Sequence, residues 1–290
     1  MKLDVISHCT IDTIEINGSE YVVPGGPGCY CSLTARSLKF DVKLHTKFGP
    51  DFTHSDYLTK QKIVFENAFS TEPTTRFRLQ LANSERTLFL ENKCEVINNV
   101  ILDADSVIIS PLFDEIPLEL FEKIKNNTNF ILLDPQGFLR RVNSENKIYL
   151  EQTDLNLSSI SAIKVNSDEL RSLTNSSNSD GIKILQKKGI EHVILTDKQN
   201  ISLLSENKIY SITLPEIELN DTTGIGDIFS AAFCCTMLKE KDVLWALSFA
   251  GGAAQAALES EQIGLEKIPS KGAIESNAYY FYNTIKFKEI

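Results

Sequence analysis

Six short apolar runs constrain the fold of this chain more than any other feature. LDVIS (3–7), VKLHT (42–46), SVIIS (106–110), FILLD (130–134), AIKVN (162–166) and HVILT (192–196) are rich in β-branched residues. Runs of this length that are apolar on both faces suit strands covered from above and below. Helical patterns lie between several of them, over 26–38, 117–125, 167–174 and 180–188. Strands that alternate with helices predict an α/β fold with a mostly parallel central sheet.

Two segments break the alternation. TIEINGSEYVV (13–23) carries Asn17-Gly18, a two-residue hairpin signal. TTRFRLQLANSERTLFLE (74–91) reads as a second hairpin with ANSE as its turn. Its first strand sets Phe77, Leu79 and Leu81 against Arg76, Arg78 and Gln80, so one face is apolar and the other wet. The two hairpins are expected to pair into a small flap, and an open flap edge offers a route to a homodimer. Arg76 and Arg86 on that flap are either solvated or turned to a substrate. From residue 226 the chain turns helical, with 228–238 and 243–258 rich in alanine and Asp242 placed to cap the second helix. With no repeat, linker or low-complexity segment, residues 1–290 read as one domain with a β appendage.

A net charge of −10 disfavours nucleic acid and anionic lipid as partners and leaves a small molecule as the expected ligand. No apolar run is long enough to span a membrane, and the first ten residues are too polar for a signal peptide, so a cytoplasmic protein is expected. The six cysteines, with no C-x-x-C spacing, are expected as reduced thiols in the core.

Three stretches can carry chemistry. In NDTTGIGDIFSAAF (220–233), Gly224 and Gly226 allow successive N–H groups to converge where an apolar helix begins. That helix end suits a phosphate or a migrating phosphoryl group, and Asp227 beside it could take a proton from an attacking hydroxyl. An ordinary capped helix start is the competing reading. In VVPGGPGCYCSLTARSL (22–38), Gly25 and Gly26 expose backbone to a polyol, or else form a tight turn before a packed helix. In KVNSDEL (164–170), Asn166 and Glu169 share a face of a first helical turn, where they could hold hydrated Mg²⁺ or simply cap the helix.

Taken together, GGPGCYCSLTARSLKFDVKLHTKFGPDF, NSDE and DTTGIGD resemble, in order and spacing, the ribokinase-like (PfkB) carbohydrate kinase family, from about residue 3 to about residue 265. The resemblance implies a three-layer α/β sandwich with a small β-sheet lid formed by about 13–23 and 74–91. It implies ATP as co-substrate and Mg²⁺ as cofactor. It makes Asp227 the catalytic base and the amides of Gly224, Ile225 and Gly226 the anion hole. It assigns Asp12, Gly25, Gly26, Gln136 and Arg140 to the substrate, and Asn166 and Glu169 to the metal through water. Lys164, Asn166, Thr196, Asp197, Gly251 and Gly252 go to the nucleotide.

The chain departs from the family pattern at three places. Ile225 stands where alanine is usual, TDKQN replaces a glycine-bearing stretch near the nucleotide, and Gly251-Gly252 occupy a region that often carries asparagine. LLDPQGFLRRV (132–142) and KVNSDE resemble the myo-inositol kinase-like branch, which places a cyclitol or simple sugar ahead of a nucleoside as acceptor. A nucleoside kinase of the family and a non-catalytic sugar-binding homologue are the alternatives.

Overall fold

The computed structural model describes every residue except 17, 83–84, 126–129, 218–220 and 290, and the side chains of 81–86 are also left undescribed. The chain opens with β1 (Lys2–Ile6), then β2 (Thr10–Ile16) and β3 (Ser19–Gly25), which runs directly into α1 (Gly26–Ser37). There follow β4 (Asp41–His45), α2 (Ser55–Lys60), β5 (Ile63–Phe65), β6 (Thr75–Ala82), β7 (Glu85–Asn92), β8 (Ser106–Ile109), α3 (Leu118–Lys125) and β9 (Ile131–Leu133). A short α4 (Gln136–Leu139) leads to the ribbon β10 (Arg140–Val142) and β11 (Ile148–Leu150), then β12 (Ala162–Asn166), α5 (Ser167–Thr174), α6 (Asn178–Lys187) and β13 (His192–Asp197). The last part holds β14 (Asn200–Ser205), β15 (Lys208–Thr213), α7 (Ile225–Glu240), α8 (Val243–Leu258), α9 (Lys271–Thr284) and β16 (Lys286–Glu289).

Among the described residues the main sheet runs β16-β15-β14-β13-β12-β9-β8-β1-β4-β5. The strands from β5 to β13 in that order pair in parallel, whereas β13 through β16 pair antiparallel. All six apolar runs are strands of the parallel part. The antiparallel extension is an addition to the expected architecture. Its strands NISLLS and KIYSIT mix serine, lysine and asparagine among the apolar residues.

Both faces of the sheet are covered. One core gathers Leu3, Val5, Leu44 and Ile194 against Tyr30, Phe229, Phe233, Leu247 and Phe281 from α1, α7, α8 and α9. The other gathers Ile6, Ile109 and Val193 against Phe121, Leu170 and Leu185 from α3, α5 and α6. The six cysteines are buried free thiols. No helix among the described residues is long and apolar enough to cross a membrane.

The flap is a separate sheet, β3-β2-β6-β7. Its two hairpins join through parallel pairing of β2 and β6, with Thr10 opposite Thr75 and Gln80 opposite Glu15. Phe77 and Leu79 turn inward and are buried. Arg76 pairs with Asp51 at 2.8 Å, and Arg78 bonds Glu15, Glu20 and Glu91 on the wet face. The flap arginines described are thus held by carboxylates, while the Arg86 side chain and the 83–84 turn lie outside the described residues.

Candidate active site

The carboxyl ends of parallel strands, where an open α/β sheet presents ligand-binding crevices, deliver the site. β9 leads to Gln136, β12 ends at Asn166, β13 brings Thr196, and the segment after β1 supplies Asp12 on β2. These residues meet the N-terminus of α7 and the underside of the flap around a cleft of about 420 Å³. Asp12, Gln136, Arg140, Lys164, Glu169 and Asp227 give it a charged floor, and Ile14, Phe77, Leu79, Leu88, Ile148 and Leu150 give it an apolar roof.

A second cavity of about 430 Å³ adjoins it, walled by Ile201, Leu214, Pro215, Ile217, Phe229 and Leu258. Asn166, Thr196, Thr222 and Gly226 line both spaces, so the start of α7 stands at their junction.

Gly224 turns the chain into α7 at φ +75°, and a Cβ there would fall 2.5 Å from the Tyr30 ring. Only glycine satisfies both demands. The Asp227 and Ile228 amides donate to the Gly224 carbonyl at 3.1 and 2.9 Å, while the Ile225 amide makes only a 3.5 Å contact to the Thr222 carbonyl. The start of this helix therefore presents weakly used N–H donors and the positive end of its dipole. Asp227 is buried there, and burial, with Asp134 and Asp12 adding repulsion, raises its pKa to about 7 against the pull of Lys164 and Arg140. A carboxyl poised near neutrality suits a general base.

Lys164 is buried and paired to Asp134 at 2.5 Å. Burial opposes its charge, but Asp134 and Glu169 more than offset this and raise its pKa. A Cβ built on Gly226 would lie 3.0 Å from the Lys164 ammonium, so this cation sits close to the start of α7. Arg140 donates to the Leu112 carbonyl at 3.1 Å and to the Gln136 side chain. Burial depresses its pKa against the attraction of Glu169 and Asp134.

Asn166 and Glu169 form a reciprocal capping box. The Asn166 Oδ1 accepts from the Asp168 and Glu169 amides at 2.9 Å, and the Glu169 Oε2 accepts from the Asn166 amide at 2.8 Å. Both residues line the cleft, and burial followed by Asp134 raises the Glu169 pKa. Among the described residues no group of three or more His, Cys, Asp or Glu is arranged to hold a metal. Hard oxygen donors in an acid-rich cleft still fit Mg²⁺, which keeps its waters and takes few protein ligands.

Several residues stand elsewhere than the sequence reading placed them. Gly25 lines neither cavity, and a Cβ there would strike the Asp12 carboxylate, so this glycine makes room for Asp12. Gly251 and Gly252 are buried in helix packing, Gly251 against Ile212 and Phe281 and Gly252 against the Ile274 carbonyl and Ala278. The neighbouring turns of α8 instead reach the apolar cavity through Ala254 and Leu258. Asp197 is exposed and lines neither space, unlike Thr196 before it, while Lys198 and Gln199 of the TDKQN turn do line the apolar cavity. Lys164 lies on the acid-rich side of the junction rather than in the apolar cavity. The Ile225 side chain joins the apolar wall, which accounts for a bulky residue in that loop. Sequence reasoning did not name Tyr30, the flap leucines or Asp134 as site residues. Asp134 entered it only as the acid that closes a strand in LLDPQGFLRRV, within the resemblance to the myo-inositol kinase-like branch.

A family model described as pfkB family carbohydrate kinase matches residues 58–270. The chain belongs to that family. This kinase is therefore a phosphotransferase that acts on a hydroxyl group. No curated protein sequence matches it. Among solved structures, a pyrophosphate-dependent myo-inositol-1 kinase converted into a myo-inositol-3 kinase shares 20% identity at TM-score 0.82, covering 97% of this kinase and 99% of that chain. An Arabidopsis thaliana ribokinase complexed with ribose and ATP shares 18% at TM-score 0.75, over 95% and 98%. A Methanocaldococcus jannaschii nucleoside kinase shares 16% at TM-score 0.72, over 96% and 98%. At these identities the likeness establishes the ribokinase-like fold of the kinase.

Proposed function

We propose that this kinase transfers the γ-phosphate of ATP to a hydroxyl of a neutral cyclitol or sugar. The observation that carries the reading is the buried Asp227 carboxyl at the start of α7, between an acid-rich cleft and an apolar cavity. Asp12, Asp168, Glu169 and Asp227 outnumber Arg140 and Lys164 around the cleft, which disfavours an acceptor that already carries phosphate. Hydroxyls can bond to Asp12, Gln136 and Arg140 below, while a ring's C–H face lies under the apolar flap.

Asp227 takes the hydroxyl proton as that oxygen attacks phosphorus. The new O–P bond forms as the bond from the γ-phosphorus to the leaving nucleoside diphosphate breaks. The amides of Gly224, Ile225 and Gly226 receive the charge on the migrating group, with Lys164 and Arg140 nearby. Asn166 and Glu169 would hold Mg²⁺ through water, and the ion would screen the donor's phosphates.

The apolar cavity favours a nucleotide over pyrophosphate as donor. Ile201, Leu214, Pro215, Ile217 and Phe229 suit the faces of a base and offer nothing to an inorganic anion. The acceptor side favours a cyclitol through a different feature. In the myo-inositol kinase relative, exchanging an asparagine and a serine for leucines changed a 1-kinase into a 3-kinase. Here Leu79 and Leu88, cross-strand partners on the flap, line the cleft. We read them as selecting which acceptor hydroxyl reaches Asp227.

The test is an assay of phosphorylated product across inositols, hexoses, pentoses and nucleosides, with Mg-ATP (ADP released) and Mg-pyrophosphate (orthophosphate released) compared and product regiochemistry read by NMR. Turnover of a cyclitol or sugar with ATP is expected. Preference for pyrophosphate would overturn the donor assignment, and turnover of nucleosides alone would overturn the acceptor. The outer flap strand β3, with Tyr21 and Val22 exposed, also suits pairing with a second copy. Sedimentation equilibrium should then give twice the 32.5 kDa chain mass, and a monomer at all concentrations would remove the dimer.

A further inference from the structure

The 3-10 turn Gly264–Lys267 grips the anion-hole loop through both its ends and touches the flap at Gly264. The Lys267 side chain is fully buried, and its ammonium donates to the Asp221 Oδ2 at 2.7 Å and to the Asp221 carbonyl at 3.0 Å. The same Oδ2 accepts the Gly264 amide at 3.0 Å, and Oδ1 accepts the Thr223 amide at 2.8 Å. Asp221 is thereby fixed from both ends of the turn, and it fixes the loop that leads into Gly224. The ammonium also lies 5.7 Å from the centre of the Tyr30 ring, the ring against which Gly224 rests.

On the flap side, Gly264 is packed so closely that an added Cβ would lie 3.2 Å from the Val23 Cβ. Val23 stands opposite Asp12 in the β2–β3 register. One continuous set of contacts therefore runs from the acceptor-facing hairpin, through the turn, to the amides at the start of α7. A fully buried ion pair is often no more stabilising than apolar residues of the same volume, because both charges lose water. The charge at Lys267 thus reads as a device of geometry, which directs two hydrogen bonds onto one residue of the loop.

We propose that Lys267 is a positioning residue that couples the docking of the flap strand β3 to the geometry of the 224–226 anion hole. The proposal rests on the phosphotransfer reading of this site. Closure of the flap over an acceptor presses Val23 on Gly264, and the turn transmits this to Asp221 and so to the amides. A filled acceptor cleft then sharpens the anion hole, and an empty one leaves it slack.

Lys267→Met tests this with inorganic tripolyphosphate as the anion, titrated by calorimetry into the full-length protein, alongside kcat and KM. The expected result is at least a tenfold loss of tripolyphosphate affinity and at least a hundredfold loss of kcat. The pH midpoint of activity should stay at its wild-type value, because Asp227 itself is untouched. Ethylammonium should restore part of the kcat of Lys267→Ala by refilling the vacated space with a cation.

A merely structural lysine would lower the melting temperature of Lys267→Met while affinity and turnover per folded molecule held, and that outcome overturns the proposal. Should Lys267→Met fail to fold, Val23→Ala carries the test from the half-buried flap side. It should weaken tripolyphosphate binding severalfold, and unchanged affinity would overturn the coupling. If the wild-type protein binds tripolyphosphate yet turns over no acceptor, the kinase reading fails, while the titrations still decide the coupling.

Discussion

Asp227→Asn should lower kcat by roughly 10²–10⁴ and at the same time make the protein more stable at pH 8. The first effect is the usual loss when a general base is removed. The second follows from the carboxyl's pKa of about 7 in the folded protein, against about 3.9 for an unfolded aspartate. Below pH 4 both states hold the proton, and the group contributes no difference. Between pH 4 and 7 the unfolded chain has lost the proton while the folded one retains it, so stability falls as pH rises. Above pH 7 the penalty levels off at up to about 4 kcal/mol, and asparagine never incurs it. Melting curves of the two proteins should therefore diverge from pH 4 to 7 and run parallel above. The kcat/KM of the wild type should climb through the same upper limit, since only the carboxylate accepts a proton. Near-normal turnover in Asp227→Asn, or a flat wild-type profile from pH 5.5 to 8, would remove Asp227 from the role of base.

Lys164→Met should cost about 3–5 kcal/mol of stability, the range for breaking a buried pair by deleting one partner. The Asp134 side chain is only 1% exposed, and its carboxylate would be left without its cation. The same variant should move the pH midpoint of activity upward, because Lys164 is the first of the charges that hold Asp227 down. Asp134→Leu combined with Lys164→Met should recover much of the stability, since the Asp134 charge goes with its partner and Glu169 still faces Arg140. It should also pull the midpoint back, because the Asp134 repulsion goes with the Lys164 attraction. Urea unfolding and pH–rate profiles of both variants separate these effects. An unchanged midpoint in Lys164→Met would mean that the ion pair supports the fold without tuning the base.

The parts of this molecule that could be read in advance are those in which local chemistry and tertiary role coincide. Runs such as Val107–Ile109 and Val193–Leu195 are apolar on both faces, and a strand in the middle of a three-layer fold needs nothing else. The antiparallel strands β14 and β15 escaped because their serines, one asparagine and one lysine dilute the signal. Their buried Ile201, Leu203, Ile209 and Ile212 are intelligible once the sheet edge is known. In the cleft, DTTGIGD and NSDE were legible as a glycine turn and a helix cap because each device occupies contiguous residues. Gly251-Gly252 misled because close approach between two helices and close approach to a ligand demand the same residue. Lys267 and Tyr30 had no such signature. They act on Asp221 and Gly224 across wide gaps in sequence, and nothing in their neighbours announces it.

The flap is stitched together by β2 and β6, which place Thr10 beside Thr75. On a ribosome the first hairpin emerges long before its partner strand exists, and β4 and β5 must be laid down between them. Closing so long a stretch of chain carries an entropic cost that local contacts cannot offset early. The parallel sheet around β1 and β4 is thus the scaffold on which the flap completes itself. Gln136, Lys164, Glu169 and Asp227 all lie beyond the flap strands in the chain, so a ribosome delivers the flap before most of the cleft floor, and the cleft exists only once β12 and α7 have joined the sheet.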